Sequence, residues 1–189
     1  MKNIIVAAIL CLPFYWGCGK TDVKKAPQTP AASKKAANAG EYQNPDYHGL
    51  IEEYHNILAQ DPHNLAAIIA LGNAYYDSAD WKNANIMYAY ALLIDPKNAD
   101  VRTDMGTAYR NRGMIDNALA EYRTALKDEP EHLNARYNMG IIYAYNKKDY
   151  QEAIRIWEEI LNRAPNYPQT EKIKSMIRTI KNELKKDAR

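Results

Sequence analysis

A short word of small, aromatic and proline residues is spelled three times in this chain at a nearly constant interval. Gly72, Gly106 and Gly140 each follow Leu71, Met105 or Met139 and stand three residues before Tyr75, Tyr109 or Tyr143. Ala84, Ala118 and Ala153 come next, each with an aromatic residue four positions on: Tyr88, Tyr122 and Trp157. Pro96, Pro130 and Pro165 close the units at spacings of 34 and 35 residues, and Pro62 lies 34 before Pro96. Residues four apart share one face of a helix. Leu71 with Tyr75 and Met105 with Tyr109 therefore mark a first helix. Ala84, Tyr88, Ala91 and Ala118, Tyr122, Ala125 mark a second. The glycines and alanines let the two helices approach where larger side chains would hold them apart. Proline removes a backbone donor and stops the second helix. Asn64 and Asn98, two residues past their prolines, suit helix N-caps, and His132 is a weaker cap in the third unit.

The spacing predicts helices near 65–78, 82–94, 99–112, 116–128, 133–146 and 150–163. The third unit carries one extra residue, assigned to its inner turn between Asn146 and Asp149. Upstream, Tyr47, Leu50, Tyr54 and Ile57 occupy second-helix slots counted back from Pro62, but Ala37 and Asn38 stand where Leu and Gly belong. Residues 44–60 thus read as half a unit. Downstream, Ile173, Met176, Ile177, Ile180 and Leu184 form a helical stripe, with Lys174 in the glycine slot. That predicts a closing helix over 168–187, with nothing nested on it.

The word L-G-x2-Y, A-x3-aromatic, P resembles the tetratricopeptide repeat (TPR) family over roughly two thirds of the chain. The resemblance implies an all-α fold, a TPR-type α-solenoid in which helical hairpins stack into a right-handed superhelix. Here it would have an N-terminal half-repeat, three repeats over 65–98, 99–132 and 133–166, and a C-terminal capping helix. It also implies a non-catalytic binding module whose first helices line a concave groove for a protein or peptide segment. The groove slots are Ile69, Asn73, Tyr76 and Asp77, then Thr103, Thr107, Arg110 and Asn111, then Tyr137, Ile141 and Tyr145. Tyr and Arg often dominate binding energy. For each tyrosine the alternative is that it covers a neighbouring helix. A subtype that clamps a terminal carboxylate is a poor match: Asn73 fits, but Ile69 and Asn134 hold basic slots and Asp104 holds an Asn slot.

The chain opens with a basic residue, Lys2, then thirteen apolar positions from Ile4 to Trp16. That run is shorter than the ~20 residues of a spanning helix and fits a signal-peptide core. Gly17-Cys18-Gly19 ends it and resembles a bacterial lipoprotein signal, which implies cleavage at 1–17 and a lipid anchor on Cys18. Tyr15 and Trp16 depart from the Leu and small residue usual there, and cleavage farther on is the alternative. Gly19 resembles the signal for outer-membrane sorting in a cell with two membranes. Residues 18–43, rich in Lys, Ala and Pro, read as a disordered tether. These features place the expected domain at residues 44–189 in the bacterial cell envelope, facing the periplasm.

Both cysteines fall in the leader, so the repeats can form neither a disulfide nor a thiolate metal site. Residues 1–44 carry net +4, 45–166 net −6 and 167–189 net +4. An acidic body argues against nucleic acid. His48, Glu52 and His55 share one helical face and are the best metal candidate, but a fourth ligand is missing. No nucleophile elbow, phosphate loop or metal-protease motif is present. Neither a catalytic residue nor a cofactor is expected. The expectation is a membrane-tethered adaptor that assists assembly of an envelope complex. A pilot-type lipoprotein for pilus or secretion pores, a catalytic or metal-binding protein using the His48 face, and head-to-tail self-assembly are the alternatives.

Overall fold

The computed structural model describes residues 46–187, and the expectations for the leader, Cys18 and the tether lie outside the described residues. Within them the chain runs through α1 (Tyr47–Gln60), α2 (Leu65–Asp77), α3 (Trp81–Ile94), α4 (Ala99–Asn111) and α5 (Ile115–Asp128). It continues through α6 (Leu133–Ile141), a π-helical segment (Ile142–Lys147), α7 (Tyr150–Arg163) and α8 (Thr170–Asp187). There is no strand among the described residues. The pairs α2/α3, α4/α5 and α6/α7 are antiparallel hairpins stacked in chain order, with α1 and α8 packed on the two ends. This is the TPR α-solenoid that the spacing predicts.

Each second helix ends for the same local reason. A residue preceding proline is pushed out of the α region into extended backbone. Asp61, Asp95, Glu129 and Ala164 all obey, with φ between −125° and −137° and ψ between 75° and 89°. Two residues past each of the first three prolines comes the cap. The Asn64 and Asn98 side chains accept from Ala67 and Val101 amides at 3.0 Å. His132 does the same work through Nδ1, which accepts from the Ala135 amide at 3.1 Å.

The turn inside each hairpin also recurs. Ala79 (φ 63°), Gly113 (φ 77°) and Lys148 (φ 59°) occupy the left-handed region at matching positions. Only the middle unit places glycine there. The extra residue of the third unit does not simply lengthen the inner turn, as the spacing suggested. It is taken up before the turn, within the π-helical Ile142–Lys147. A wider helical turn absorbs one residue without breaking the backbone hydrogen bonding.

Three buried clusters fill the stack. Ile68, Tyr88, Leu92, Val101 and Met105 join the first two hairpins. Leu119, Tyr122, Ala135 and Ile142 join the second to the third. Ile154, Trp157, Ile160, Ile173, Ile177 and Ile180 seat α8 on α7. No single cluster spans the fold, as expected of a solenoid whose units contact only their neighbours.

Candidate functional site

The first helices α2, α4 and α6 line the concave side. The packing that places them there begins at the glycines. A Cβ on Gly72 would lie 2.8 Å from the Tyr88 ring, and one on Gly106 would lie 2.6 Å from the Tyr122 ring. The Trp157 indole fills the same space beside Gly140. The glycines therefore make room for a ring as well as for a helix backbone. Each ring lies between its two helices, fully buried, and its polar end reaches a partner on the first helix. The Tyr88 hydroxyl donates to Asn73 Oδ1 at 2.8 Å, and the Tyr122 hydroxyl meets Thr107 Oγ1 at 3.0 Å. Trp157 donates to the Tyr137 carbonyl at 3.3 Å.

Between the first and second repeats the concave floor opens into a cavity of about 430 Å³. Asn73, Tyr76, Asp77 and Thr107, all predicted groove residues, line it together with Tyr88, Asp104 and Asn138. Asn111 joins by donating to the Tyr76 hydroxyl at 3.1 Å, and Asn138 donates to Thr107 Oγ1 at 3.4 Å. Neither Asp77 nor Asp104 has a hydrogen-bond or ion-pair partner among the described residues, and both carboxylates are exposed at the cavity.

The electrostatics of this floor are unusual for surface carboxylates. Partial desolvation by the walls of the concavity, then the Asp100 charge, push the Asp104 carboxyl up to about 6; His132 pulls it down and Asp77 adds to the rise. Asp77 is also raised, by burial. Burial pushes the Tyr122 phenol up to about 12, with the Thr107 hydrogen bond acting against it, and drives Tyr88 farther still. These phenols stay protonated and act as hydrogen-bonding groups only.

The remaining predicted groove residues are not all on this floor. Thr103 is buried, its hydroxyl donating to the Ala99 carbonyl at 2.7 Å, so it is helix packing and not groove surface. Tyr137 turns toward the closing helix: its ring lies 6.3 Å from Tyr167, and the Lys172 ammonium sits 5.9 Å over it. Of the two readings weighed for Tyr137, covering a neighbouring helix is the one the packing favours. Ile69 and Ile141 are half-buried against the clusters, Arg110 is half-buried, and Tyr145 is 54% exposed in the π-helical segment.

Sequence reasoning missed Tyr88 and Asn138, and met Asp104 only as a mismatch in a carboxylate-clamp slot. Tyr88 was legible only as core, because its position is apolar by pattern while its hydroxyl is not. Asp104 sits on the α4 face one turn before Ala108, and only stacking against α2 sets it across from Asp77. At the metal candidate, His55 Nε2 is hydrogen-bonded to the Tyr75 hydroxyl at 2.9 Å. Among the described residues no three His, Cys, Asp or Glu side chains group as metal ligands would. No described helix is long and apolar enough to cross a membrane.

Comparison with known proteins agrees with this fold. A tetratricopeptide-repeat family profile matches residues 103–168. The crystal structure of MamA superposes with a TM-score of 0.59 at 18% identity, covering 76% of this chain and 91% of that one. A thermophilic TPR protein of Thermus thermophilus gives 0.60 at 20% identity, covering 67% of this chain and 71% of that one. No curated protein matches the chain in sequence.

Proposed function

We propose that this TPR solenoid is a non-catalytic scaffold that holds a segment of a partner protein on its concave face. The observation that carries this reading is the open floor between α2 and α4. There Asn73, Asp77, Asp104 and Asn138 offer hydrogen-bonding groups on a rigid base, at a surface no helix of the described chain covers. Extended and helical segments are both recognised by such convergent polar groups beside apolar walls. A photoreactive residue at position 73 or 104 of the full chain should form a discrete protein adduct in cells. An adduct pattern no different from that of a residue on the outer face, such as Gln151, would defeat the reading.

We further propose that the scaffold is tethered in the bacterial envelope by lipid on Cys18, reaching out on residues 18–43. Support comes from the leader grammar alone. A lipid chain plus a second attractive element anchors a protein stably, and the tether supplies lysines for the second. Cys18→Ala should abolish acyl labelling and release the protein from membranes; labelling that persists means the anchor lies elsewhere. A pilot role in pilus or secretion-pore assembly would use the same anchor and scaffold and differ only in the captured partner.

A further inference from the structure

Asp77 of α2 and Asp104 of α4 line one concave cavity, and neither has a cationic partner among the described residues. They come from different slots of the repeat word. One unit away, the slot of Asp104 holds Ala70 or Asn138, and that of Asp77 holds Asn111. The repeat itself therefore needs neither acid. Their juxtaposition also has a cost. Partial desolvation raises both carboxyls, and the Asp77 charge raises Asp104 further. His132 acts the other way on Asp104, but its Nε2 is already engaged by Asp100. Carboxylates perturbed in a cleft, with no structural partner, point to function. The rest of the lining is partly committed. Asn73 Oδ1 accepts from the Tyr88 hydroxyl, and the Asn138 amide donates to Thr107. The Asn138 side-chain carbonyl is left as a third acceptor at the cavity, and Tyr76, held by Asn111, adds an aromatic wall.

Resting on the scaffold reading above, we propose that the cavity receives an arginine side chain of the partner segment, its guanidinium bridging Asp77 and Asp104. The floor offers acceptors from three helices, α2, α4 and α6, so the group it selects is a cation with donors pointing several ways. A guanidinium is planar, keeps its charge and carries five N–H donors in fixed directions. It can serve two carboxylates and a carbonyl at once, and it stacks on aromatic rings such as that of Tyr76. A lysine ammonium has three donors on one atom and holds its water more strongly, so it fits less well. A terminal carboxylate, which basic slots would clamp, is repelled here. Arginine also removes the mutual repulsion of the two acids, so binding relieves a cost that the free protein carries.

The test is a titration of the full chain, ¹⁵N-labelled and in detergent micelles, with the capped peptide acetyl-Gly-Arg-Gly-amide. The side-chain amide signals of Asn73 and Asn138 report on the cavity directly. The expected result is a saturable shift of both with the arginine peptide, weaker binding of the lysine counterpart and none of the citrulline one, which keeps the shape of arginine without its charge. Asp77→Asn and Asp104→Asn should each weaken the arginine peptide by about tenfold or more, the scale of one charged hydrogen bond. Both residues are exposed, so neither variant opens the core. No saturable shift, equal binding of the arginine and citrulline peptides, equal binding of arginine and lysine, or indifference to both variants would overturn the arginine site. The photoreactive residue at position 73 separates this from the scaffold reading. Adducts in cells that are undiminished by Asp77→Asn leave the scaffold standing and overturn the arginine site. Peptide binding as expected without any such adduct defeats the scaffold and keeps the cavity's preference for arginine.

Discussion

The Tyr122 ring occupies the space a side chain on Gly106 would need, 2.6 Å from where its Cβ would stand. The Ala118 carbonyl closes the same space from behind at 3.2 Å. The glycine, the alanine and the aromatic residue of the repeat word are thus one packing unit, and the ring's hydroxyl bonds Thr107, which lines the concave floor.

That contact makes the first prediction. Gly106→Ala must push the fully buried Tyr122 ring or separate α4 from α5, because neither neighbour is a flexible chain end. The expected loss is about 1–3 kcal/mol, the cost of overpacking a tight core. Urea unfolding followed by circular dichroism reads it. The double variant with Tyr122→Leu should recover part of the loss; full additivity of the two changes would mean the ring is not the obstacle.

The hairpin turns make the second. Ala79 and Lys148 hold the left-handed conformation that costs an L-residue roughly 1–2 kcal/mol. Ala79→Gly and Lys148→Gly should each raise the unfolding free energy by about 0.5–1 kcal/mol, after the greater freedom of glycine in the unfolded chain is subtracted. Gly113→Ala should lower it, although open space surrounds that residue. A midpoint that stays put or falls in both glycine variants would contradict the strain.

His132 makes the third. It is buried, accepts from the Ala135 amide through Nδ1 and meets Asp100 Oδ1 through Nε2 at 2.9 Å, so that nitrogen carries the donated hydrogen. His132→Ala removes a cap and leaves a cavity, for a loss of about 1–2 kcal/mol. His132→Asn restores the cap that Asn64 and Asn98 supply in the other units and should lose clearly less. Equal losses in the two variants would show that the cap contributes little.

Asp104 makes the fourth, through pH. Its folded pKa, about 6, lies above the ordinary carboxylate value near 4. Between those values the folded chain holds a proton that the unfolded chain has released. The group's stabilising contribution is therefore complete below about pH 4 and is lost as pH rises through about 6. The groups facing it are Asp100 and Asp77, which raise it after burial, and His132, which lowers it. Asp104→Asn should flatten this part of the stability profile and at pH 7 leave the fold as stable as the parent or more so. Because the carboxylate is exposed, the gain is at most about 1 kcal/mol. Parent and variant profiles that run parallel from pH 4 to 7 would refute the assignment.

How far the sequence could be read follows from where its signals lie. The repeat word and the stripe of the closing helix placed α2, α3, α4, α5, α7 and α8 with ends within two residues, because caps and prolines act on the backbone next to them, whereas α1 starts three residues later than expected, at its Asp46 cap. The larger departure was α6. The extra residue could be counted but not located, since a wider helical turn and a longer loop leave the same spacing in the chain. The groove was half legible: Asn73, Tyr76, Asp77 and Thr107 sit on predicted concave slots, whereas Thr103 and Tyr137 are claimed by neighbours that the spacing does not reveal.

By itself, the sequence determined the hairpins, their order and which end is capped. Helix periodicity, proline and capping are all settled within a few residues of backbone. Only the tertiary structure decided what the surfaces hold. Asp77 and Asp104 share a floor because α2 and α4 stack, and Tyr88 reaches that floor because Gly72 leaves room for its ring. Ile86, Tyr90, Leu93 and Ile94 are left in water because no described helix covers that side of α3. Stacking brings together residues 15 to 35 positions apart, and no local pattern encodes which side chain will face which across that distance.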